Sequence, residues 1–175
     1  NSAIFTSEVQ LAAEDRLLER SSDLTGPTVA LAAVARVTRK PDADGLVLGE
    51  DQAEALTRIA VSGRMLDVLV GPAGAGKTTA MNALRRAWEA EHGTGSVVGL
   101  APSAVAAQVL ADDLGIETEN TAMWWQTHLT KGLNFTAGQL VIVDEASLAG
   151  TLSLDRIAGL AQQAGAKVLL VGDYA

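Results

Sequence analysis

Leu66-Asp-Val-Leu-Val-Gly71-Pro-Ala-Gly-Ala-Gly76-Lys-Thr-Thr79 is the stretch on which the reading of this chain turns. A short run rich in Val and Leu gives way to Gly71-Pro-Ala-Gly-Ala-Gly-Lys-Thr, which fits G-x-x-x-x-G-K-[ST] at every fixed position. Residues 78 to 91 then lack glycine and proline and read as a helix. Strand, glycine-rich loop and helix in that order form a phosphate cradle. The glycines let the backbone N–H groups turn inward, and the helix start adds its positive end. Lys77 is placed to reach the β- and γ-phosphates of a nucleoside triphosphate, and the Thr78 hydroxyl to ligate magnesium. Gly71, Gly74, Ala75, Gly76, Lys77, Thr78 and Thr79 are therefore the candidate nucleotide-binding residues. A dinucleotide fingerprint does not fit, because Thr79 stands where its third small residue belongs.

Working outward, apolar runs alternate with helical stretches: 66–70 then 78–91, 96–100 then 104–114, 139–143 then 147–164, and finally 168–171. Runs without polar alternation mark strands buried on both faces, as in a parallel sheet covered by helices. The fold class is α/β, a three-layer sandwich with a mainly parallel sheet and right-handed crossovers. Upstream, residues 6–20 read as a helix opened by a Ser7/Gln10 capping box. A second helix is expected from Pro27 to Val37, since proline is tolerated in a first turn. Pro41 to Gly45 reads as a turn, and 51–61 as a short helix with Leu56 and Ile59 on one face. This gives a helical lead-in over 1–45 and one α/β domain over 46–175. The first residue is Asn and the last strand ends two residues before Ala175, so the chain is expected to be a piece of a longer protein.

Composition bounds the alternatives. Hydrophobic residues make up 48% and charged residues 19%, the profile of a folded domain. There is no cysteine, so disulfides, thiolate metal sites and cysteine nucleophiles are excluded, and a cytoplasmic location is suited. The net charge of −8 gives no hint of nucleic acid, which weakens that class without removing it. Arg36, Arg39 and Lys40, and Arg85 with Arg86, read as solvated helix surface. No apolar run reaches the roughly 18 residues of a membrane span.

Two further strand ends, with three acidic residues, belong with the loop. Leu140-Val-Ile-Val-Asp144-Glu145 is a buried strand ending in an acidic pair, where α/β proteins place ligands. Asp144 is assigned to magnesium, and Glu145 to polarising an attacking water as general base. That pair favours a hydrolysing ATPase over a small-molecule kinase, which needs no activated water. Val168-Leu-Leu-Val-Gly172-Asp173 is another buried strand, placed to bring Asp173 near the γ-phosphate. Among single residues, Trp88 reads as helix packing. Of Trp124 and Trp125, adjacent on a helix, one belongs to the core and the other is more exposed. His92 and His128 have no metal-ligand spacing and read as surface residues. Ser147 reads as a helix start, not a nucleophile, because no G-x-S-x-G elbow surrounds it.

The ordered series Glu50-Asp-Gln52-Ala-Glu-Ala-Leu, Gly71 to Thr79, Leu100-Ala-Pro-Ser103-Ala, Val143-Asp-Glu-Ala-Ser147 and Val171-Gly-Asp-Tyr resembles the front motifs of RecD-like superfamily 1 helicases. It is most similar to the helicase portion of conjugative relaxases of the TraI/TrwC (MobF) type in the form found in actinobacteria. The likeness spans residues 46–175, with a looser likeness over 5–39. It implies a P-loop, RecA-like motor domain that uses ATP and Mg2+. It also implies that Gln52 reads the adenine edge, and that Lys77, Thr78, Asp144 and Glu145 serve phosphate, metal and hydrolysis. Pro102, Ser103 and Ala104 would meet single-stranded DNA, and Asp173 would couple DNA contact to the nucleotide. Trp125 is a separate candidate for DNA contact, because a base can stack on tryptophan. The implied partners are single-stranded DNA, a second RecA-like domain and an N-terminal relaxase of the same polypeptide, in plasmid DNA transfer. Two departures stand out: the glutamine that continues the third motif is absent, and so are the arginines of a second motor domain. Tyr174 is not a DNA-cleaving tyrosine on this pattern. The rival readings are another P-loop ATPase or kinase, and a non-hydrolysing module that binds nucleotide or DNA.

Overall fold

The structure, a computed structural model, describes residues 2–41, 44–71 and 75–173. Five strands form one sheet: β1 (Leu66–Gly71), β2 (Val97–Ala101), β3 (Glu117–Asn120), β4 (Leu140–Val143) and β5 (Lys167–Asp173). Their order across the sheet is β1-β5-β4-β2-β3, and every neighbouring pair is parallel. The apolar runs at 97–101, 140–143 and 167–173 thus become strands covered on both faces. β1, at the edge of the sheet, instead leaves Val68 and Val70 exposed, which corrects the expectation of burial on both faces for 66–70.

That cover comes from seven helices: α1 (Ser2–Ser22), α2 (Leu31–Thr38), α3 (Glu50–Val61), α4 (Ala75–His92), α5 (Ala104–Leu114), α6 (Thr121–Lys131) and α7 (Thr151–Ala164). One face packs Ile142, Leu169 and Val171 of the sheet against Leu56 and Ile59 of α3, Leu84 and Trp88 of α4, and Leu110 and Leu114 of α5. The other packs Leu66, Val141, Val143 and Val168 against Ile157, Ala158 and Ala161 of α7, with Trp124 of α6, Phe135 and the flank of Leu17 on α1. Each fully buried Leu or Ile contributes roughly 1.5–3 kcal/mol. Trp88 is fully buried, as its helix packing predicts, and its indole N–H donates to the Gly138 carbonyl (2.8 Å).

The lead-in helix α1 is held to α7 by charge. Arg16 of α1 donates to Asp155 of α7 from Nε and Nη2 (2.9 and 2.8 Å), and Arg20 donates to its other oxygen. Burial pushes the Asp155 carboxyl upward, but these guanidinium bonds outweigh it and hold the group below the usual carboxylate range.

Several expectations are corrected. The backbone is already helical from Ser2, so Ser7 and Gln10 lie inside α1 and not at its start. The second helix begins at Leu31, not Pro27, because Gly26 and Val29 donate their N–H groups to Gly63 and Ala60 and hold this segment extended. Ser147 starts no long helix. It sits in a 3₁₀ turn (Ala146–Leu148), and α7 begins after Gly150. His92 and His128 are half-buried: His92 stacks on Trp88 and meets the Thr28 carbonyl (2.7 Å), and His128 stacks on Trp124 and meets the Leu133 carbonyl. β3 was not foreseen. Its Glu-Thr-Glu-Asn sequence alternates exposed and half-buried residues on a sheet edge, where one neighbour suffices. Arg36, Arg39 and Lys40 are exposed as expected, but Arg85 and Arg86 are half-buried: Arg85 pairs with Glu89 one turn on, and the Arg86 Nε is buried.

Candidate functional site

β1 ends at Gly71 and α4 begins at Ala75, so the start of an 18-residue helix faces the carboxyl edge of the sheet. Its first-turn N–H groups have no partner within the helix and present a positive end to an anion. Gly74 and the middle of the loop, 72–74, lie outside the described residues. Lys77 is half-buried in this first turn. A Cβ on Gly71 would meet the Lys77 stem at 3.4 and 3.6 Å, so the stem lies across that glycine. The ammonium donates to the Gly172 carbonyl of β5 (3.1 Å). Lys77 therefore bridges the ends of β1 and β5.

β4 delivers the acidic pair to the same edge. Asp144 N–H donates to Leu100 O (2.9 Å) and extends the ladder one residue beyond Val143, which is in register with Leu170. Asp144 thus stands one strand across from β5, about 4.8 Å, and about one residue, 3.3 Å, below Gly172, where the Lys77 ammonium is anchored. Asp144 is half-buried and Glu145 exposed. The Asp144 carboxylate accepts the Glu145 N–H (3.0 Å). Glu145 has φ 49° and ψ 47°, and it is the one non-glycine residue with positive φ among those described. A left-handed residue carrying Cβ is strained by roughly 1–2 kcal/mol, and such strain gathers at functional sites. Thr78, half-buried in the first turn of α4, adds a hydroxyl oxygen near the same edge.

Hydroxyl and carboxylate oxygens are hard donors that suit magnesium, which keeps waters and phosphate oxygens in its shell and takes few protein ligands. Among the described residues no group of three or more His, Cys, Asp or Glu could hold a metal ion by itself. A metal at this edge would accordingly be shared with a bound phosphate, and Thr78 and Asp144 fit that sharing.

The remaining candidates are placed less uniformly. Asp173 ends β5 in register with Gly71, at the same edge. Gln52 lies in the first turn of α3 and donates from Nε2 to the carbonyl of Gly76 (3.1 Å). Pro102, Ser103 and Ala104 are exposed just beyond β2, along the same edge, where the Ser103 hydroxyl caps α5 by accepting from Ala106 N–H (3.1 Å). Trp125 lies in α6, which follows directly on the end of β3. It is half-buried, packs against the core and meets Trp124 edge-on at 5.4 Å, while Trp124 is buried between Phe135 and His128. The expectation of one core and one more exposed tryptophan holds.

A second polar cluster, which the sequence reading passed over, lies at the opposite edge. The fully buried Lys167 donates to Asp67 Oδ2 (2.9 Å), Ile59 O (2.6 Å) and Ser62 Oγ (3.2 Å). Burial pulls its ammonium pKa down, and Asp67 opposes the shift. The available signal was a charge interrupting an apolar run, at Asp67 and again at Lys167.

Among the described residues no helix is long and apolar enough to cross a membrane. Of solved structures, the chain is similar in fold to the UvsW helicase from bacteriophage T4, with a TM-score of 0.59 at 14% identity over 85% of this chain and 62% of that one. It is 36% identical over 129 residues to a conjugal transfer protein TraA of Rhizobium radiobacter, and 38% identical over 127 residues to one of Agrobacterium fabrum. Each alignment covers 72% of this chain and 11% of the relative. A probable conjugal transfer protein TraA of Sinorhizobium fredii is 35% identical over 158 residues, 90% of this chain and 13% of that protein. The chain thus spans little more than a tenth of the relatives it matches. Residues 47–175 match the family described as "AAA domain", and with most of its length inside that match, the chain belongs to the AAA domain family.

Proposed function

We propose that this chain is the ATP- and magnesium-binding part of a DNA helicase or translocase motor that acts in conjugative DNA transfer. The observation that carries the reading is the convergence of Gly71, Lys77 and the Asp144-Glu145 pair at the carboxyl edge of one buried parallel sheet. The helicase fold of the UvsW structure and the conjugal transfer names of the relatives support the class and the setting.

In this mechanism the first-turn N–H groups of α4 and the Lys77 ammonium bind the β- and γ-phosphates. Lys77 releases the Gly172 carbonyl to do so, and because its stem rests on Gly71 the ammonium swings a short distance. Magnesium, when bound, neutralises phosphate charge, with Thr78 and Asp144 as its protein oxygens. Glu145, exposed and turned out by its left-handed backbone, takes the proton of the attacking water. Asp173 senses the γ-phosphate at the end of β5, and Pro102, Ser103 and Ala104 meet single-stranded DNA farther along the same edge. Transition-state charge on the phosphoryl group calls for positioned arginines worth 10³–10⁵ in rate. Those would come from a second RecA-like domain, so residues 1–175 bind ATP weakly and hydrolyse it very slowly.

The test is equilibrium binding of a fluorescent ATP analogue with magnesium to the wild-type chain and to Lys77→Ala. The expected result is at least a roughly 100-fold loss of affinity with an unchanged melting temperature, as two or more charge-assisted bonds disappear. Equal affinity in the two proteins would overturn the assignment.

A further inference from the structure

We propose that Gln52 is a positioning residue for the phosphate loop, one that ties α3 to the first turn of α4 and sets triphosphate affinity whatever the base. The proposal rests on the triphosphate reading of Gly71–Thr78. It differs from the adenine-reading role that the helicase resemblance implies for this glutamine.

The local sequence fixes which way the amide points. Gln52 is the third residue of α3, and its Oε1 accepts the N–H of Gly49, the residue that caps the helix (3.0 Å). With the oxygen turned to that donor, the nitrogen faces away and donates to Gly76 O (3.1 Å), 24 residues along the chain. The flipped amide would set donor against donor and acceptor against acceptor, so only this orientation satisfies both ends. Gly76 is shaped for the contact: a Cβ there would lie 2.8 Å from Gln52 Nε2, closer than atoms allow.

The far end of α3 is also fixed. Lys167 donates to the Ile59 carbonyl in the last turn and to Ser62, and it is paired with Asp67 of β1. The helix is therefore a strut, footed on the sheet's amino edge and braced against the residue next to Lys77. A base reader needs its amide donor and acceptor free for the base edge. Here the acceptor serves the cap of its own helix at Gly49 and the donor holds the first turn of α4 at Gly76. Loss of the brace should loosen the N–H array that grips phosphate and touch every triphosphate alike.

The experiment compares binding of Mg-ATP, Mg-GTP and magnesium tripolyphosphate, which has no base, to wild type, Lys77→Ala and the near-isosteric Gln52→Met. Gln52→Met should weaken all three by the same factor, about 5-fold, the effect of one hydrogen bond. A loss confined to ATP, with GTP and tripolyphosphate unchanged, would overturn the strut and restore the base reader. Undiminished binding of all three would overturn both roles. A wild-type chain that binds none of the three would refute the triphosphate reading itself, and the strut with it. A double-mutant cycle guards against a merely unfolded α3. Gly76→Ala should cost less tripolyphosphate affinity in a Gln52→Ala background than in wild type, because the smaller side chain makes room for the methyl. Additive losses would count against the contact.

Discussion

The two edges of this sheet carry the same residue types, a lysine and an aspartate, in opposite circumstances. At the amino edge Lys167 is fully buried and Asp67 nearly so, and the ammonium is satisfied by a carboxylate, a carbonyl and a hydroxyl. At the carboxyl edge Lys77 and Asp144 are half-buried and Glu145 is exposed, with the lysine held by a backbone carbonyl. A buried charge that breaks a partnership faces a low-dielectric interior, so the first cluster is fixed. On the proposed function, the half-buried Lys77 exchanges its carbonyl for a phosphate at little cost, which makes the second cluster the poised one. Circumstance, more than residue type, separates scaffold from site.

The sharpest way to break this comparison is to remove one carboxylate. Asp67→Ala leaves the Lys167 ammonium buried against a carbonyl and a hydroxyl, and should destabilise the chain by about 3–5 kcal/mol. Lys77→Ala, which removes a half-buried lysine and leaves no buried charge behind, should stay within about 0.5 kcal/mol of wild type. Chemical denaturation of both variants checks the pair. Similar stabilities would show that the two lysines do not differ as described.

A smaller effect sharpens the same contrast on the far side of the sheet, where Asp155 couples α1 to α7. Asp155→Asn keeps the shape and removes the charge, at a cost of about 1–2 kcal/mol near neutral pH. The sign of its pH dependence follows from the depressed carboxyl pKa. Its contribution is fully present above the unfolded value of about 3.9 and is lost as pH falls through the lower folded value. Asp23, lowered by the Thr25 hydroxyl, its N–H and Gln162, acts in the same window. Below about pH 4 the wild-type melting temperature should therefore fall toward that of Asp155→Asn. A gap that persists in acid would refute the charge coupling.

These contrasts also mark what the sequence could and could not disclose. β2, β4 and β5 are legible because their apolar runs need cover on both faces, and the phosphate-loop reading rests on a short contiguous motif whose middle, 72–74, lies outside the described residues. The Asp144-Glu145 pair is legible because it ends such a run. β3 is not, since an edge strand of alternating polar residues has no burial signal to distinguish it from a loop. The start of α2 is hidden for another reason: Gly26 and Val29 are held extended by carbonyls of residues more than thirty positions later. Gln52 with Gly76, and Asp67 with Lys167, are likewise partnerships across 24 and 100 residues. Local pattern specifies elements, whereas these contacts arise only when the elements meet.

The smallest expected effect concerns Glu145, where the poised edge holds strain that the buried edge lacks. A left-handed glutamate is strained by about 1–2 kcal/mol, and a glycine in its place would be unstrained but would lose about 0.5–1 kcal/mol more conformational freedom on folding. Glu145→Gly should therefore stabilise the chain by about 0.5–1 kcal/mol, read as a small rise in denaturation midpoint with an unchanged slope. The same substitution in the longer protein should lower ATP turnover by about 10²–10⁴, the contribution of a positioned general base. Gaining stability while losing turnover is the signature of a backbone held out of its preferred conformation to aim a carboxylate. A variant that lost stability, or kept its turnover, would show that the turn at Glu145 serves the fold and not the chemistry.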